Sequence, residues 1–197
     1  MLKQLYPIIA EHIYAFKQIL VDKRASLNEK TEQWFTLNRG TSHPEVFSKC
    51  KIVCPQRSKT NTFGYNECEW YAASDVFFLT NPKEGYDLKY LLGLLNSKLY
   101  FMWLYSKGKR KGETLELTAT PLSEIPIKKC GDREMASIVL LVDSIISAKK
   151  QGKDTSALEN QIDFLVYHLY GLTYDEVLIV DPETPISREE YEAYKEE

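Results

Sequence analysis

Residues 87–112 decide the fold of this chain, and their sequence is DLKYLLGLLNSKLYFMWLYSKGKRKG. Leucines at positions 88, 92, 95 and 99, followed by Met102 or Trp103, recur at the spacing of one face of an α-helix. Asp87 is of a residue type that favours the N-cap, and Gly108 can adopt the left-handed conformation that ends a helix. We predict a helix over residues 87–106 whose leucine face packs inward.

Five cations with no acidic residue among them lie in and beyond this helix: Lys98, Lys107, Lys109, Arg110 and Lys111. Glycines on both sides of the last three allow the segment to bend and to present backbone N–H groups and cations to a phosphate. The helix dipole alone explains a cation at the helix end, but not three more beyond it. The cluster favours contact with a nucleic-acid backbone, with a log–log salt slope of about −4 to −5 for five phosphates.

Towards the N-terminus, residues 51–79 have β-strand character, with β-branched and aromatic runs at 51–55, 69–72 and 75–79. A polar segment after the first run contains Gln56, Arg57, Lys59 and Asn61. These side-chain types include those that pair with base edges in the major groove. An ordinary solvent-exposed loop has the same composition, so both interpretations stay open.

Towards the C-terminus, residues 113–118 alternate polar and apolar side chains, which predicts a half-buried strand. Residues 133–149 and 156–170 have helical apolar spacing and a short connector, which predicts an antiparallel α-hairpin. A further amphipathic helix is predicted over residues 7–23. The predicted fold class is α+β: a β-rich body with embedded helices over residues 1–131, the α-hairpin over 132–171 and an acidic segment over 172–197.

The net charge of −3 conceals an asymmetry between the two ends of the chain. Residues 1–131 contain 19 Lys and Arg against 13 Asp and Glu, a net charge of +6, whereas residues 132–197 contain 6 against 15, a net charge of −9. A basic front part favours a polyanionic partner. Attraction between the two parts of the chain explains the same asymmetry equally well.

Other functional classes find little support in the sequence. No apolar run is long enough to span a membrane and no signal peptide is evident, so we expect a cytoplasmic protein. The cysteines and histidines do not follow metal-site spacing, and nucleotide-binding and hydrolase motifs are missing. The acid…acid-x-Lys spacing of Asp75, Asp87 and Lys89 is similar to that of metal-dependent nucleases, but a helix cap explains Asp87 better. We therefore predict no catalytic residue, metal or cofactor in this chain.

Four segments in a fixed order carry a resemblance to a known family: KIVCPQ at 51–56, DVFFLT at 75–80, LKYLLGLLNSK at 88–98 and KGKRKGE at 107–113. This order resembles the TaqI-like C-terminal specificity domain, which ends adenine-specific DNA methyltransferases and type IIG restriction–modification enzymes. The segment PLSEIPI at 121–127, followed by the helical pair, is similar to the layout of type I specificity subunits. The resemblance extends over roughly residues 1–171.

The resemblance implies a target-recognition body that binds double-stranded DNA. It makes Lys98, Lys107, Lys109, Arg110 and Lys111 candidates for backbone contact, and Gln56, Arg57, Lys59 and Asn61 candidates for base readout. In such enzymes an N-terminal methyltransferase domain binds S-adenosylmethionine and carries an Asn/Asp-Pro-Pro-Tyr/Phe motif. Because this chain has only Asn81-Pro82-Lys83, we expect it to be the C-terminal part of a larger enzyme.

An alternative function is a protein–protein docking module. Its support is the pair of apolar stripes at 135–146 and 158–169, which could exceed what two helices bury against each other.

Overall fold

The computed structural model describes residues 2–36 and 43–194, and the chain separates into two compact units, Met1–Pro44 and Glu45–Glu197. The first unit contains α1 (Leu2–Leu5), α2 (Pro7–Tyr14), α3 (Lys17–Ser26) and a 3₁₀ turn at Thr31–Gln33. The single helix predicted over residues 7–23 is therefore wrong in one respect: it is interrupted. Phe16 leaves the helical conformation (φ −105°, ψ 7°), and its N–H bonds to Ile13 O in a tighter turn.

The second unit begins within a 3₁₀ turn at Pro44–Phe47 and holds the remaining elements. In chain order they are β1 (Lys51–Pro55), β2 (Arg57–Ser58), β3 (Gly64–Asn66), β4 (Val76–Leu79), α4 (Leu88–Asn96), α5 (Lys98–Lys107), β5 (Lys109–Lys111), β6 (Thr114–Glu116), α6 (Ala119–Ser123), α7 (Asp132–Lys150), α8 (Ser156–Tyr170), α9 (Tyr174–Val180) and α10 (Arg188–Ala193). This composition confirms the mixed α+β class. The strands are short, and helices make up more of the structure than the term β-rich implied.

Two small antiparallel sheets form from these strands, in the orders β3-β1-β4 and β2-β6-β5. In β1, Ile52 and Cys54 are fully buried because alternate side chains of a strand point to the same side. Strand β3 was missed by the sequence pattern, and the strand predicted over residues 69–72 is absent. That stretch is joined to a neighbouring segment by the Trp70 N–H, which bonds to Phe47 O.

The helix predicted over residues 87–106 is divided at Ser97 into α4 and α5. Ser97 is extended (φ −70°, ψ 158°), and its Oγ donates to Leu94 O while accepting from the Tyr100 N–H. The N-cap role of Asp87 is confirmed, because its Oδ1 accepts from the N–H groups of residues 89 and 90. The left-handed conformation expected of Gly108 is wrong: its φ is −74°, and a Cβ there would collide with Leu104 O.

Helix α4 lies in the main core and packs against both α7 and α8. The contact with α7 is close at Gly93, where an added Cβ would lie 2.7 Å from Ile138 Cγ2. Ile138 and Val142 of α7 and Ile162 and Val166 of α8 are buried in this core. The apolar stripes that suggested a docking module are thus largely covered by the chain itself, which removes the main support for that function.

A smaller apolar cluster joins α8 to the C-terminal helices α9 and α10, around Tyr167, Val177, Ile186 and Tyr191. Within residues 2–36 and 43–194, no helix combines the length and the apolar character needed to cross a bilayer.

Candidate nucleic-acid interface

The sheet β2-β6-β5 carries the residues predicted to contact nucleic acid. Arg57 pairs with Glu116 across β2 and β6, and Glu116 pairs with Lys109 across β6 and β5. Lys111 and Thr114, two residues further along, lie on the same side because strand side chains alternate. We call these five side chains the outer face: Arg57, Lys109, Lys111, Thr114 and Glu116.

The other side of this sheet fixes which way the outer face points. Leu115 lies between Thr114 and Glu116 in β6 and is 1% exposed within the main core. Strands β5 and β6 are joined by a two-residue turn in which Gly112 takes φ +63°, a left-handed value that suits glycine. Burial of Leu115 therefore directs Glu116 and its cross-strand neighbours towards solvent.

The basic segment forms a strand and not the pliable loop that the two glycines suggested. Lys109–Lys111 pairs in register with Thr114–Glu116, so its backbone is fixed by the ladder with β6. A loop that bends around a phosphate is therefore a wrong prediction for these three residues. Their side chains, and not a flexible backbone, are the groups that the structure offers to an anion.

The cations of this region differ in their partners. Lys107, Lys109 and Lys111 are exposed and form no ion pair with the residues that the structure describes. Arg110 projects from β5 over the exposed ring of Tyr105, with its guanidinium carbon 4.1 Å from the ring centroid. Arg57 is ion-paired with Glu116 at 3.4 Å, and half of its side chain is exposed.

Lys98 makes its contacts with residues outside the outer face. Its backbone N–H donates to Asp163 Oδ1 at 2.8 Å, and its Nζ donates to Asp181 Oδ2 at 2.6 Å. This ion pair joins α5 to the residue that follows α9, so a phosphate would have to compete with Asp181 for Lys98.

Asp163 is a buried carboxyl beside this ion pair. Burial raises its pKa from 3.8 to about 6, although the hydrogen bond from the Lys98 N–H and the nearby Lys98 charge act in the opposite direction. The charges of Asp181 and Glu159 add to the increase. Asp163 thus holds α8 to the first turn of α5 at an electrostatic cost that depends on pH.

The other candidates for base readout are in different settings. The Gln56 backbone joins the two sheets, since its N–H donates to Asp75 O and its carbonyl accepts from Leu117 N. Lys59 is exposed in the segment that follows β2. Asn61 Nδ2 donates to Leu95 O at 2.7 Å and to Ser97 O at 2.8 Å, which commits both of its N–H groups to the break between α4 and α5.

The sequence patterns missed two residues of this region, Glu116 and Tyr105. The alternation at 113–118 correctly predicts a strand, now seen as β6 over Thr114–Glu116. The alternation cannot indicate that Glu116 lies between Arg57 of β2 and Lys109 of β5, because Arg57 is 59 residues earlier in the chain. Among the described residues, no group of three or more His, Cys, Asp or Glu side chains is arranged to hold a metal ion.

Comparison with known proteins decides the family. The family model described as the TaqI-like C-terminal specificity domain matches residues 7–127. The chain belongs to this family. The match to the TaqI-like domain contains both sheets, α4 and α5, and therefore the whole outer face, whereas α7 and α8 lie beyond it.

Two curated relatives of this TaqI-like domain are type II methyltransferases. The Type II methyltransferase M.MjaIV of Methanocaldococcus jannaschii is 29% identical over 166 residues, which cover 83% of this chain and 55% of the relative. The Type II methyltransferase M.HindII of Haemophilus influenzae is 30% identical over 115 residues, which cover 54% of this chain and 22% of the relative. The matched part thus spans about half or less of each relative.

Proposed function

We propose that this specificity domain recognises a short double-stranded DNA sequence on behalf of a type II restriction–modification methyltransferase in the cytoplasm. Lys107, Lys109 and Lys111 contact the phosphate backbone, and Arg110, supported by Tyr105, adds a fourth cation. Arg57 approaches base edges from β2, on the other side of β6, with Gln56 and Lys59 near it in the chain.

The observation that carries this proposal is the outer face itself. It places Lys109 and Lys111, two exposed cations that form no ion pair with the described residues, on the same side of a short, fixed sheet as Arg57, in a chain whose family is a specificity domain. Exposed cations on one side of a sheet are what a polyanion requires, because each phosphate that they neutralise releases counterions. Helices α7 and α8 support this sheet indirectly, through α4 and the core that they share with Leu115.

We propose further properties for the parent enzyme. Its N-terminal methyltransferase domain binds S-adenosylmethionine and methylates an adenine, and the enzyme is of the IIG-like type that combines modification with cleavage. The relatives' names support the methyltransferase activity, and the family resemblance alone supports the S-adenosylmethionine, adenine and IIG-like assignments. Analysing the product of the full-length enzyme for N6-methyladenine and for strand cleavage tests them directly.

The DNA-binding proposal predicts the behaviour of a triple variant, Lys109→Ala, Arg110→Ala and Lys111→Ala. The cations are lost from an exposed edge strand, so the fold should persist while the affinity for any duplex falls. If each cation neutralises one phosphate, the log–log salt slope should flatten by about 2 to 3. Fluorescence anisotropy on a labelled pool of random-sequence duplexes, titrated at several salt concentrations, measures both quantities.

The matched control removes the same amount of charge elsewhere: Lys83→Ala, Lys129→Ala and Lys153→Ala, three exposed lysines in other connecting segments. We expect this control to keep the wild-type slope to within about 1, because general electrostatic attraction accounts for only a small part of it. Identical slopes for the triple variant of β5 and the wild-type chain would exclude phosphate contact by β5.

A further inference from the structure

A carboxylate at the centre of a phosphate-binding surface requires an explanation. Glu116 lies in the middle strand of the sheet, opposite Arg57 on one side and Lys109 on the other. About a quarter of its side chain is exposed, and its Oε1 is 3.4 Å from a guanidinium nitrogen of Arg57. In this position it repels phosphates and weakens the attraction that the neighbouring cations provide.

Only part of a DNA duplex offers hydrogen-bond donors to a carboxylate. Phosphate and sugar oxygens of DNA accept, whereas the exocyclic amino groups of cytosine and adenine donate in the major groove. An arginine beside such a carboxylate suits the O6 and N7 acceptors of guanine. Arg57 and Glu116 therefore form a pair whose donors and acceptors complement base edges better than they complement the backbone.

The dimensions of the sheet fit this assignment. Neighbouring strands lie about 4.8 Å apart, so the outer strands β2 and β5 are separated by about 10 Å. The major groove is about 12 Å wide and admits a two-stranded β-ribbon, so β2 and β6 fit within it while β5 lies at its rim. With Glu116 central and the lysines of β5 at one edge, base contact in the middle and phosphate contact at the rim are compatible.

We propose that Glu116 is a specificity-determining residue, whose carboxylate accepts a hydrogen bond from the amino group of a cytosine or adenine next to the base that Arg57 contacts. This proposal rests on the proposed function and refines it by naming the group that the site recognises. The ion pair with Arg57 holds both side chains in place before DNA arrives.

The test compares Glu116→Gln with a matched control, Glu113→Gln, which removes the same charge from the exposed turn of the same hairpin. The full 197-residue chain of each variant is used to select binding sites from a randomised duplex library. The affinity of each variant is then measured for the selected site and for its single-base variants. The same selection is carried out in parallel with Arg57→Ala. Thermal unfolding confirms that each variant is folded.

We expect Glu116→Gln to bind random duplex more tightly, because a repulsive charge is gone. It should also lose about 5- to 150-fold discrimination at one base pair, because the amide NH2 can donate to acceptor edges that the carboxylate excludes. That base pair should be the same as, or next to, the one relaxed in Arg57→Ala. Glu113→Gln should raise affinity slightly and leave the selected site unchanged.

Three outcomes would overturn the proposal. An unaltered selected site in Glu116→Gln would reduce Glu116 to a purely electrostatic role. Equal relaxation at every base pair would show a general loss of structure, which the unfolding curve would also register. A wild-type chain that binds DNA with a steep salt slope but selects no sequence would refute base reading here, while leaving the phosphate contacts of the proposed function intact.

Discussion

Individual polar residues show how far side-chain chemistry alone indicates function. Asn61 is a type that pairs with adenine, yet both of its N–H groups bind backbone carbonyls of residues 95 and 97. Lys51 contributes to the basic front of the sequence, but its ammonium is buried and donates to the carbonyls of Phe47, Lys49 and Cys68. Both residues organise the second unit because unsatisfied backbone carbonyls need donors once they are removed from water.

Asp163 provides a prediction of pH dependence at the same scale. Its pKa is about 6 in the folded chain and near 3.8 in an unfolded one, so between these values the folded state binds the proton more tightly. The contribution of Asp163 to stability is therefore full below about pH 4 and is lost as the pH rises through 6. A tenfold change in proton affinity corresponds to about 1.4 kcal/mol. The free energy of unfolding therefore falls by at most about 3 kcal/mol as Asp163 loses its proton.

We expect Asp163→Asn to gain stability relative to the wild-type chain between pH 4 and pH 7, because the amide oxygen still accepts from the Lys98 N–H without carrying charge. Urea unfolding at several pH values measures the difference between the two proteins. Asp154→Asn is a control for which we expect a loss of stability in the same pH range. Hydrogen bonds from the Ser156 side chain and backbone lower the pKa of Asp154, so its charged form is the one that the fold stabilises. A pH-independent difference for Asp163→Asn would contradict the assignment.

Among the secondary-structure elements, the sequence predicted those whose pattern is local. The leucine spacing located α4 and α5, and the apolar spacing located α7 and α8 to within a few residues. The same leucine spacing continues through Ser97 and so conceals the break, which depends on one serine capping a new helix. Strand β5 has few residues with high β-propensity, and its pairing with β6 and, through β6, with residue 57 is not encoded in any local period.

The packing of α4 on α7 gives a prediction for Gly93→Ala. In an exposed helix this change stabilises by about 0.5–1 kcal/mol. Here the added methyl would lie 2.7 Å from Ile138 Cγ2 and 3.2 Å from Val142 Cγ2, inside a packed core. Overpacking costs about 1–3 kcal/mol, so we expect net destabilisation, measured by the urea midpoint.

Ser144→Ala, on the exposed side of α7, is the matched control for Gly93→Ala and should leave the midpoint nearly unchanged. A Gly93→Ala protein as stable as the wild type would show that the two helices separate without cost. Relief of the loss by a second change, Ile138→Leu, which removes the β-branch methyl Cγ2 at similar side-chain volume, would locate the clash at that methyl group.

At the scale of the whole molecule, both explanations of the charge asymmetry apply, to different residues. Lys89 pairs with Asp143 and Lys98 with Asp181, so part of the basic front is held by the acidic back. The lysines of the outer face take no part in these pairs. The lysines of the outer face therefore remain accessible to a partner, although the chain as a whole is acidic.

The outer face and both apolar clusters lie entirely within the unit Glu45–Glu197, which leads to a prediction about residues 45–197 alone. We expect this fragment to keep near-UV circular dichroism and a single cooperative thermal transition, because none of its core residues comes from the first 44. Its salt slope on duplex DNA should equal that of the full chain to within about 1, since the proposed phosphate contacts are all retained. Removing Ile8 and Ile19, which are 83% and 67% exposed, should also reduce self-association at high concentration. A fragment that loses its near-UV signal would show that residues 1–44 complete the core, and a folded fragment with a flattened slope would assign phosphate contacts to the first unit.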